Sequence, residues 1–521
     1  MAYRYQQYQF LLTSTQESAQ IYQCLENHVN IHLSGHKKFS RTFYDTFDWR
    51  LYSTNTSFYA EQIARQYSLH SKDIITGDSL MLTQQSKMPR FAWDVADTMF
   101  HKALSKKLSV RALLPVLKTE VEQSLFELCN EENKMIAKMI LETCRLKKHS
   151  ATSKDQYQYF IVVPLRGFNE QVEQLLPMII KLLPVQPNSI DLQKNIMQQL
   201  AIEPFSYTTK IKITLSAKQS TEISVKFLLQ HIFNMMLTNE AGLKENIDSE
   251  FLHDFRVAVR RIRTALSRFK ALFPIDRLNF FKEEFAWLGN ITSPVRDLDV
   301  HLLAFASYQQ ELPKKQRDDL LPLQAFLHKH HKIEQRKLVT ALNSKRYQQL
   351  KNNWQKFLTD EQSDANDIAS QATKTYATQA IWKAYRRVLK SGNAITRKSP
   401  PDDYHELRKD GKKLRYLLEF FQSLYPSNKM QTLVTHLKQL QDQLGKFQDM
   451  EVQSMAMEHL AQQMQAEGKT PEATIQAMHT LSKHMLIQKQ QVLNQFAKHY
   501  SNFTQKKYQA IYLQLFKQSK N

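Results

Sequence analysis

The sequence predicts an α+β N-terminal region followed by a wholly helical C-terminal one, and three observations carry that prediction. Glycine is scarce, with 9 in 521 residues, far below the roughly 7 % of an average protein, which favours long helices over β structure across most of the chain. Up to Leu215 short apolar alternations mix with helical stretches, whereas from Ile223 onward the apolar spacing is helical. Finally, one His/Arg-rich segment occurs twice at a fixed offset.

Taken in order, strands are expected at Tyr157–Leu165 and Ile211–Leu215, and helices around Ser124–Leu141 and Val172–Leu183. Beyond Ile223 the helices are interrupted by turn clusters such as Ser391–Asp403, where Pro400–Pro401 ends one helix and Asp402 or Asp403 caps the next. The glutamine-rich stretches Gln441–Gln465 and Gln488–Gln495 keep apolar spacing and read as helix. The length suggests two to four domains, and a hydrophobic content of 42 % excludes wholesale disorder. No apolar run nears the roughly 18–20 residues that span a bilayer, so no membrane insertion is expected. The opening MAYRYQQYQFLL lacks a secretory pattern, and Cys24, Cys129 and Cys144 form no CxxC pair. A soluble, cytoplasmic protein without a disulfide scaffold or cysteine zinc site is the expectation.

The formal net charge is +21 with a pI near 9.5, which implies an anionic partner. The excess is uneven. Through Leu215 there are 25 Lys/Arg against 20 Asp/Glu, and the remainder holds 46 against 30, so +16 of the +21 lies beyond that point.

Much of it belongs to the repeat. HDFRVAVRRIRTALSRF (His253–Phe269) aligns with HELRKDGKKLRYLLEFF (His405–Phe421), 152 residues on, and RDLDV (Arg296–Val300) aligns with QDMEV (Gln448–Val452). At about 100° per residue, positions i, i+3, i+7 and i+10 fall within about 80° of one another. His253, Arg256, Arg260 and Arg263 therefore make one stripe, and His405, Arg408, Lys412 and Arg415 another. Phe255, Val259, Ile262, Leu266 and Phe269, and their counterparts Leu407, Leu414, Leu418 and Phe421, make the apolar faces. Like charges at helical spacing repel, and their recurrence in one register points to an external anion that offsets the repulsion.

Guanidinium forks and a compact ammonium suit phosphate oxygens, and proximity to the anion favours protonated histidine. Two stripes together line a groove for a linear polyanion. Single-strand nucleic-acid binders interleave basic residues with exposed aromatic platforms, but here Phe255, Phe269, Phe420 and Phe421 fall on or beside the apolar face, with Tyr416 the exception. A polymer made only of phosphates fits better; nucleic acid stays as an alternative partner.

HxxRVxxRRxR followed by RDxDV, with a second HxxRxxxKxxRY, closely resembles the CHAD family, the conserved histidine α-helical domain, over roughly Ser220 to Lys498. The resemblance implies two pseudo-symmetric four-helix bundles, about 220–345 and 370–500 within a domain at 218–521, flanking a basic groove that binds inorganic polyphosphate. It also implies association with cytoplasmic polyphosphate granules. Carried over by position, the ligand-facing residues are His253, Arg256, Arg260, Arg261 and Arg263, then His405, Arg408, Lys409, Lys412, Lys413 and Arg415. Arg386, Arg387 and Lys390 on the preceding IWKAYRRVLK helix add to the rim. Asp297, Asp299, Asp442 and Asp449 orient arginines through salt bridges, and Gln448 replaces the arginine of RDxDV in the second copy.

The first 215 residues resemble a degenerate CYTH domain, the triphosphate tunnel built as an antiparallel β-barrel. FYDTFDWRLYSTNTSFY (Phe43–Tyr59), Leu114–Pro115–Val116 and Tyr157–Gly167 carry the likeness. The carboxylates and the lysine of that family's opening ExExK are missing at Tyr5, Gln7 and Gln9; Phe58–Tyr59–Ala60–Glu61 stands where arginines are expected, and the late strand reads FIVVPLRG. Arg90, Lys118 and Arg166 remain as phosphate-binding candidates without a metal site. No catalytic residue, metal or cofactor is therefore expected, and a metal-dependent triphosphatase is kept as the alternative. His28, His32 and His36 at helical spacing, and His328, His330 and His331 in LHKHHK, read as surface histidines. No P-loop or GxSxG elbow is present.

Overall fold

The computed structural model of the chain describes residues 7–76, 79–146, 156–186, 192–360, 367–396, 398–468 and 470–517. The chain divides into two compact units, Met1–Thr208 and Thr209–Asn521. The first contains β1 (Tyr8–Leu11), α1 (Ser18–Leu25), β2 (Asn30–Asp45), β3 (Thr56–Ile63), β4 (Gln66–Asp73), β5 (Ser79–Gln85), α2 (Thr98–Leu108), β6 (Leu114–Cys129), β7 (Met135–Leu146), β8 (Gln156–Pro164), α3 (Asn169–Leu182) and α4 (Leu192–Gln199). Among the described residues these strands form one eight-stranded antiparallel sheet in the order β1-β8-β7-β6-β2-β3-β4-β5. The sheet curls: Lys72 of β4 donates to Gln9 Oε1 of β1 at 2.7 Å, joining strands from opposite ends of that order.

Three apolar clusters hold it. Ile31, Phe126, Leu128, Met139 and Leu141 pack with α1 and α3 on one side. Phe39, Phe43, Val121, Tyr159 and Ile161 pack with Leu192 and Ile196 of α4 on the other, and Phe58, Ala60 and Leu69 pack with α2. This double burial explains a correction. The helix expected at Ser124–Leu141 is the β6–β7 hairpin, turning at Asn133 in the left-handed region (φ 59°), with Lys134 N donating to Asn130 Oδ1. A strand covered on both faces loses the alternation that identifies it. His32 and His36 likewise lie on β2, not on a helix.

The second unit is helical: α5 (Thr221–Thr238), α6 (Glu240–Lys244), α7 (Ser249–Arg268), α8 (Ile275–Ile291), α9 (Ser293–Glu311), α10 (Leu321–Leu342), α11 (Lys345–Thr359), α12 (Asp367–Ser370), α13 (Thr373–Ala394), α14 (Pro401–Phe420), α15 (Ser427–Ala466), α16 (Glu472–Asn494), α17 (Phe496–Phe503) and α18 (Lys506–Phe516). The repeat extends well beyond the motif. α5 and α13, α7 and α14, and α8 and α15 each begin 152 residues apart. In the first copy Pro294 interrupts the helix between α8 and α9; its counterpart is Lys446, whose N–H lets the 40-residue α15 run through. The copies meet through a reciprocal exchange. Thr221 N donates to Gln371 O and Thr373 N to Gln219 O, both at 2.9 Å, and the two threonine hydroxyls reach the same carbonyls at 2.7 Å. Each bond has its counterpart 152 residues on, as about a local two-fold axis.

Two local expectations are corrected here. Ile211–Leu215 is not a strand: with no neighbouring strand among the described residues, its backbone bonds to side chains, accepting from Gln422 Nε2 at Ile211 O and donating from Leu215 N to Ser423 Oγ. Pro400, not an aspartate, is the N-cap of α14, and Asp402 and Asp403 sit in its first turn, where they complement the helix dipole. Among the described residues no helix is long and apolar enough to cross a membrane.

Gly392 of α13 lies against the Tyr500 ring, which donates its hydroxyl to Leu389 O and Asn393 Oδ1. A Cβ there has no room, so Gly392→Ala is expected to destabilise the helical unit by about 1–3 kcal/mol, read as a lower urea midpoint at unchanged slope.

Candidate functional site

α7 is amphipathic. Asp248 caps it by accepting from Glu250 N and Phe251 N, and Phe255, Val259, Ile262 and Leu266 are buried. α14 buries Tyr404, Leu407, Leu414 and Leu418 in the same register. The two helices pack on each other, so the basic stripes of both copies approach one another. Arg260 of the first copy lies close enough to Arg408 and Lys412 of the second to depress the proton affinity of both. A seam results, with Arg256, Arg260 and Arg263 from α7 and Arg408, Lys412 and Arg415 from α14.

Crowding shows in the titration of these groups. Burial foremost, then Arg408 and Arg260, bring the Lys412 ammonium down to about 8. Arg256 and Arg408 are lowered by burial first and by neighbouring arginines, with Asp297 and Asp449 acting in the opposite sense. Guanidinium stays charged at any ordinary pH, so the seam carries like-charge repulsion.

The arginines at its base are held in place. Arg256 Nη1 donates to Gly289 O at 2.9 Å, Thr292 Oγ1 at 2.6 Å and Ser293 Oγ at 3.1 Å, at the break between α8 and α9. At the equivalent place Arg408 donates to Gln448 Oε1 at 2.6 Å and Asp449 Oδ1 at 3.4 Å. Gln448 thus serves as an acceptor where the first copy has Arg296. The Arg415 guanidinium lies over the Tyr416 ring with its Nε 3.3 Å from Glu419 Oε1. Glu419, on the α14 face turned toward Arg261, was not anticipated from the sequence.

Several expected residues lie elsewhere. Arg261 is buried, donating to Thr209 O at 2.7 Å with Glu419 3.7 Å away. Lys409 pairs with Glu406, while Lys413 and Arg387 pair with the buried Asp410, which Ser391 also contacts. At about 100° per residue, Arg261, Lys409 and Lys413 stand roughly 100–140° around their helices from Arg256 or Arg408. Arg386 and Lys390 are exposed on α13, and His253 and His405 are half-buried in the first turns of their helices. Asp299 pairs with His331 at 2.9 Å, not with an arginine, and Asp442 is exposed on α15. His330 pairs with Glu467, so neither it nor His331 is a bare surface histidine. Tyr416 is buried at 3 % exposure, which removes the one aromatic expected to stand beside the stripe.

The N-terminal unit holds a cavity of about 190 Å³ inside the curled sheet, lined by Gln7, Gln9, Arg41, Tyr59, Glu61, His70, Lys72, Gln123 and Glu142 among others. Tyr5 lies outside the described residues. The cavity's charges were not legible as a motif: Arg41 Nη2 stands 2.6 Å from both Glu61 Oε1 and Glu142 Oε1, all three side chains being buried or nearly so. Burial alone would raise Glu61, but Arg41 and His70 outweigh it and bring the carboxyl down to about 2. Both carboxylates are therefore taken up by a guanidinium, and among the described residues no group of three or more His, Cys, Asp or Glu is placed to hold a metal ion. Arg90, Lys118 and Arg166 are exposed and do not line the cavity.

Comparison with known proteins follows this division. Residues 228–458 match the CHAD domain. The crystal structure of the CHAD domain from the plant Ricinus communis is 24 % identical over 56 % of this chain and 95 % of its own, with a TM-score of 0.47. The Hippeastrum protein HpAC1, assigned as an adenylyl cyclase and showing a dominant triphosphatase activity, is 13 % identical over 39 % of this chain and 99 % of its own, with a TM-score of 0.27. An adenylate-cyclase-type protein of Bacillus halodurans is 10 % identical over 37 % and 96 %, with a TM-score of 0.26. No curated protein matches the chain at a significant level.

Proposed function

We propose that the helical region, 218–521, in which residues 228–458 match the CHAD domain, binds inorganic polyphosphate without catalysis, along the seam where α7 meets α14. The observation that carries this reading is the junction of like charges: Arg260, Arg408, Lys412 and Arg415 crowd together from two copies of one motif. Asp449 and Glu419 offset part of that charge; an anion with closely spaced charges would offset the rest, and the absence of an exposed aromatic at Tyr416 favours a chain of phosphates over stacked bases. We assign the first 215 residues as a degenerate tunnel domain without triphosphatase activity, since Arg41 is ion-paired with both cavity glutamates. Location at cytoplasmic polyphosphate granules follows from the same reading.

The test is competition at matched ionic strength between long-chain polyphosphate and single-stranded RNA for the full chain, with phosphate release from tripolyphosphate followed under Mg²⁺ or Mn²⁺. Preferential binding of polyphosphate without turnover supports the proposal. Preference for RNA, or robust turnover, overturns it.

The seam also sets a pH dependence. A bound polyanion raises the Lys412 ammonium above its unliganded value of about 8, so binding takes up a proton. Affinity is full below that value and is lost as pH rises through it toward the higher bound value. Dissociation constants measured from about pH 7 to about pH 9 are expected to weaken by up to about tenfold per pH unit, and Lys412→Arg is expected to flatten the profile.

A further inference from the structure

Lys412 differs from the arginines around it in one respect: its nitrogen can lose a proton and become a nucleophile. It lies one helical turn from Arg408, three residues before Arg415, and faces Arg260 across the seam. It is half-buried, so it is reachable from solvent while standing among guanidinium groups that bind phosphate oxygens. We propose that Lys412 is a site of acylation by small acyl phosphates, and that the acylated lysine weakens the polyanion site. The proposal rests on reading the seam as a phosphate site.

The class of electrophile follows from the surroundings. In an acyl phosphate the reactive carbonyl and the anionic leaving group are one bond apart, so a phosphate held by Arg260 and Arg408 presents its carbonyl carbon to the Lys412 nitrogen. The ammonium first loses one proton to water; a new N–C bond then forms, the C–O bond to phosphate breaks, and the leaving phosphate takes up the second nitrogen proton and departs as hydrogen phosphate into the arginine cluster. Nothing is oxidised or reduced. In the unliganded seam Lys412, lowered to about 8, has a free-amine fraction near neutral pH roughly a hundredfold that of an ordinary lysine; a bound acyl phosphate takes back part of that gain, and its placement of the carbonyl beside the nitrogen supplies the rest of the selectivity. The product amide is uncharged, so one cation leaves the seam.

Lys409 is the internal control: it neighbours Lys412 in sequence, is exposed, and pairs with Glu406 away from the seam. The full chain is incubated with acetyl phosphate, and acetylation of each lysine is followed by peptide mass spectrometry. A phosphate-free acetylating ester is run in parallel. Lys412 is expected to react at least about tenfold faster than Lys409 with acetyl phosphate, with a much smaller preference for the ester. Arg260→Gln, an exposed position, and excess tripolyphosphate should each slow it. Reaction no faster than at Lys409, or equal preference with both reagents, overturns the proposal. If acetyl phosphate selects Lys412 and inorganic phosphate competes, but long-chain polyphosphate neither competes nor binds, acylation stands and the polyphosphate reading falls. Polyphosphate binding without selective acylation gives the converse.

Discussion

Replacing Arg260 and Lys412 together by glutamate is expected to weaken long-chain polyphosphate binding by about a hundredfold or more while leaving the helices intact. The two positions contribute one charge from each copy of the motif, and Arg260 is close enough to influence Lys412 directly. Reversal leaves two carboxylates facing a polyanion, a juxtaposition that costs several kcal/mol, and about 1.4 kcal/mol corresponds to each tenfold in affinity. Stability should not fall with it. Neither side chain belongs to the buried apolar faces, and like-charge repulsion between α7 and α14 is relieved by the change. Thermal unfolding with unchanged or slightly raised midpoint, beside lost binding, is the expected pair of results. Arg256 and Arg408 are unsuitable for this purpose: each bonds to the neighbouring helix, so their loss confounds binding with packing.

The largest expected effect on stability lies in the other unit. Arg41→Ala is expected to destabilise the N-terminal unit by about 3–5 kcal/mol, because two buried carboxylates lose their guanidinium, leaving Glu61 with only His70 and Glu142 with only the neutral amide of Gln123. Urea unfolding followed by tryptophan fluorescence from Trp49 and Trp93, both in that unit, measures it. Adding Glu61→Gln and Glu142→Gln to Arg41→Ala should recover a large part of the loss, since neutral amides need no counter-charge. The pH dependence has a definite sign. Glu61 is held at about 2 in the folded unit, below its ordinary value of 4.5, so its contribution is present above about 4.5 and disappears as pH falls toward 2. The acid limb of the stability curve should therefore flatten in the Arg41→Ala protein. An Arg41→Ala loss below about 1 kcal/mol would mean the buried network is not the device that holds the sheet's interior.

The sequence made the helical unit legible because its signals are local. The stripe Arg256, Arg260, Arg263 and the buried Phe255, Val259, Ile262 share one 3.6-residue period, and the offset repeat marks α14 as a second copy. It misled where neighbours in sequence part company on a helix. Arg261 follows Arg260 but turns to Thr209 and Glu419, and Lys413 follows Lys412 but turns to Asp410. Asp410 and Glu419 carry no signal of their own, since an acid between lysines reads as ordinary surface patterning until its partners are placed. In the N-terminal unit the limits were greater. β6 and β7 pack on both faces and mimic helical spacing, and Arg41, Glu61 and Glu142 come from three strands whose pairing no local pattern announces. The reading of the missing ExExK identified what the cavity lacks at Gln7 and Gln9. It did not reveal the guanidinium that occupies the two glutamates instead.

Salt-dependent titration of the full chain with long-chain polyphosphate bears most directly on the central claim that the α7–α14 seam is a polyanion site. Log affinity is expected to fall linearly and steeply with log salt concentration, because each neutralised phosphate releases counterions. In the Arg260→Glu, Lys412→Glu protein the slope should shrink by about two, one for each lost contact. A wild-type affinity indifferent to salt, or a slope and affinity unchanged in the double variant, would contradict the account.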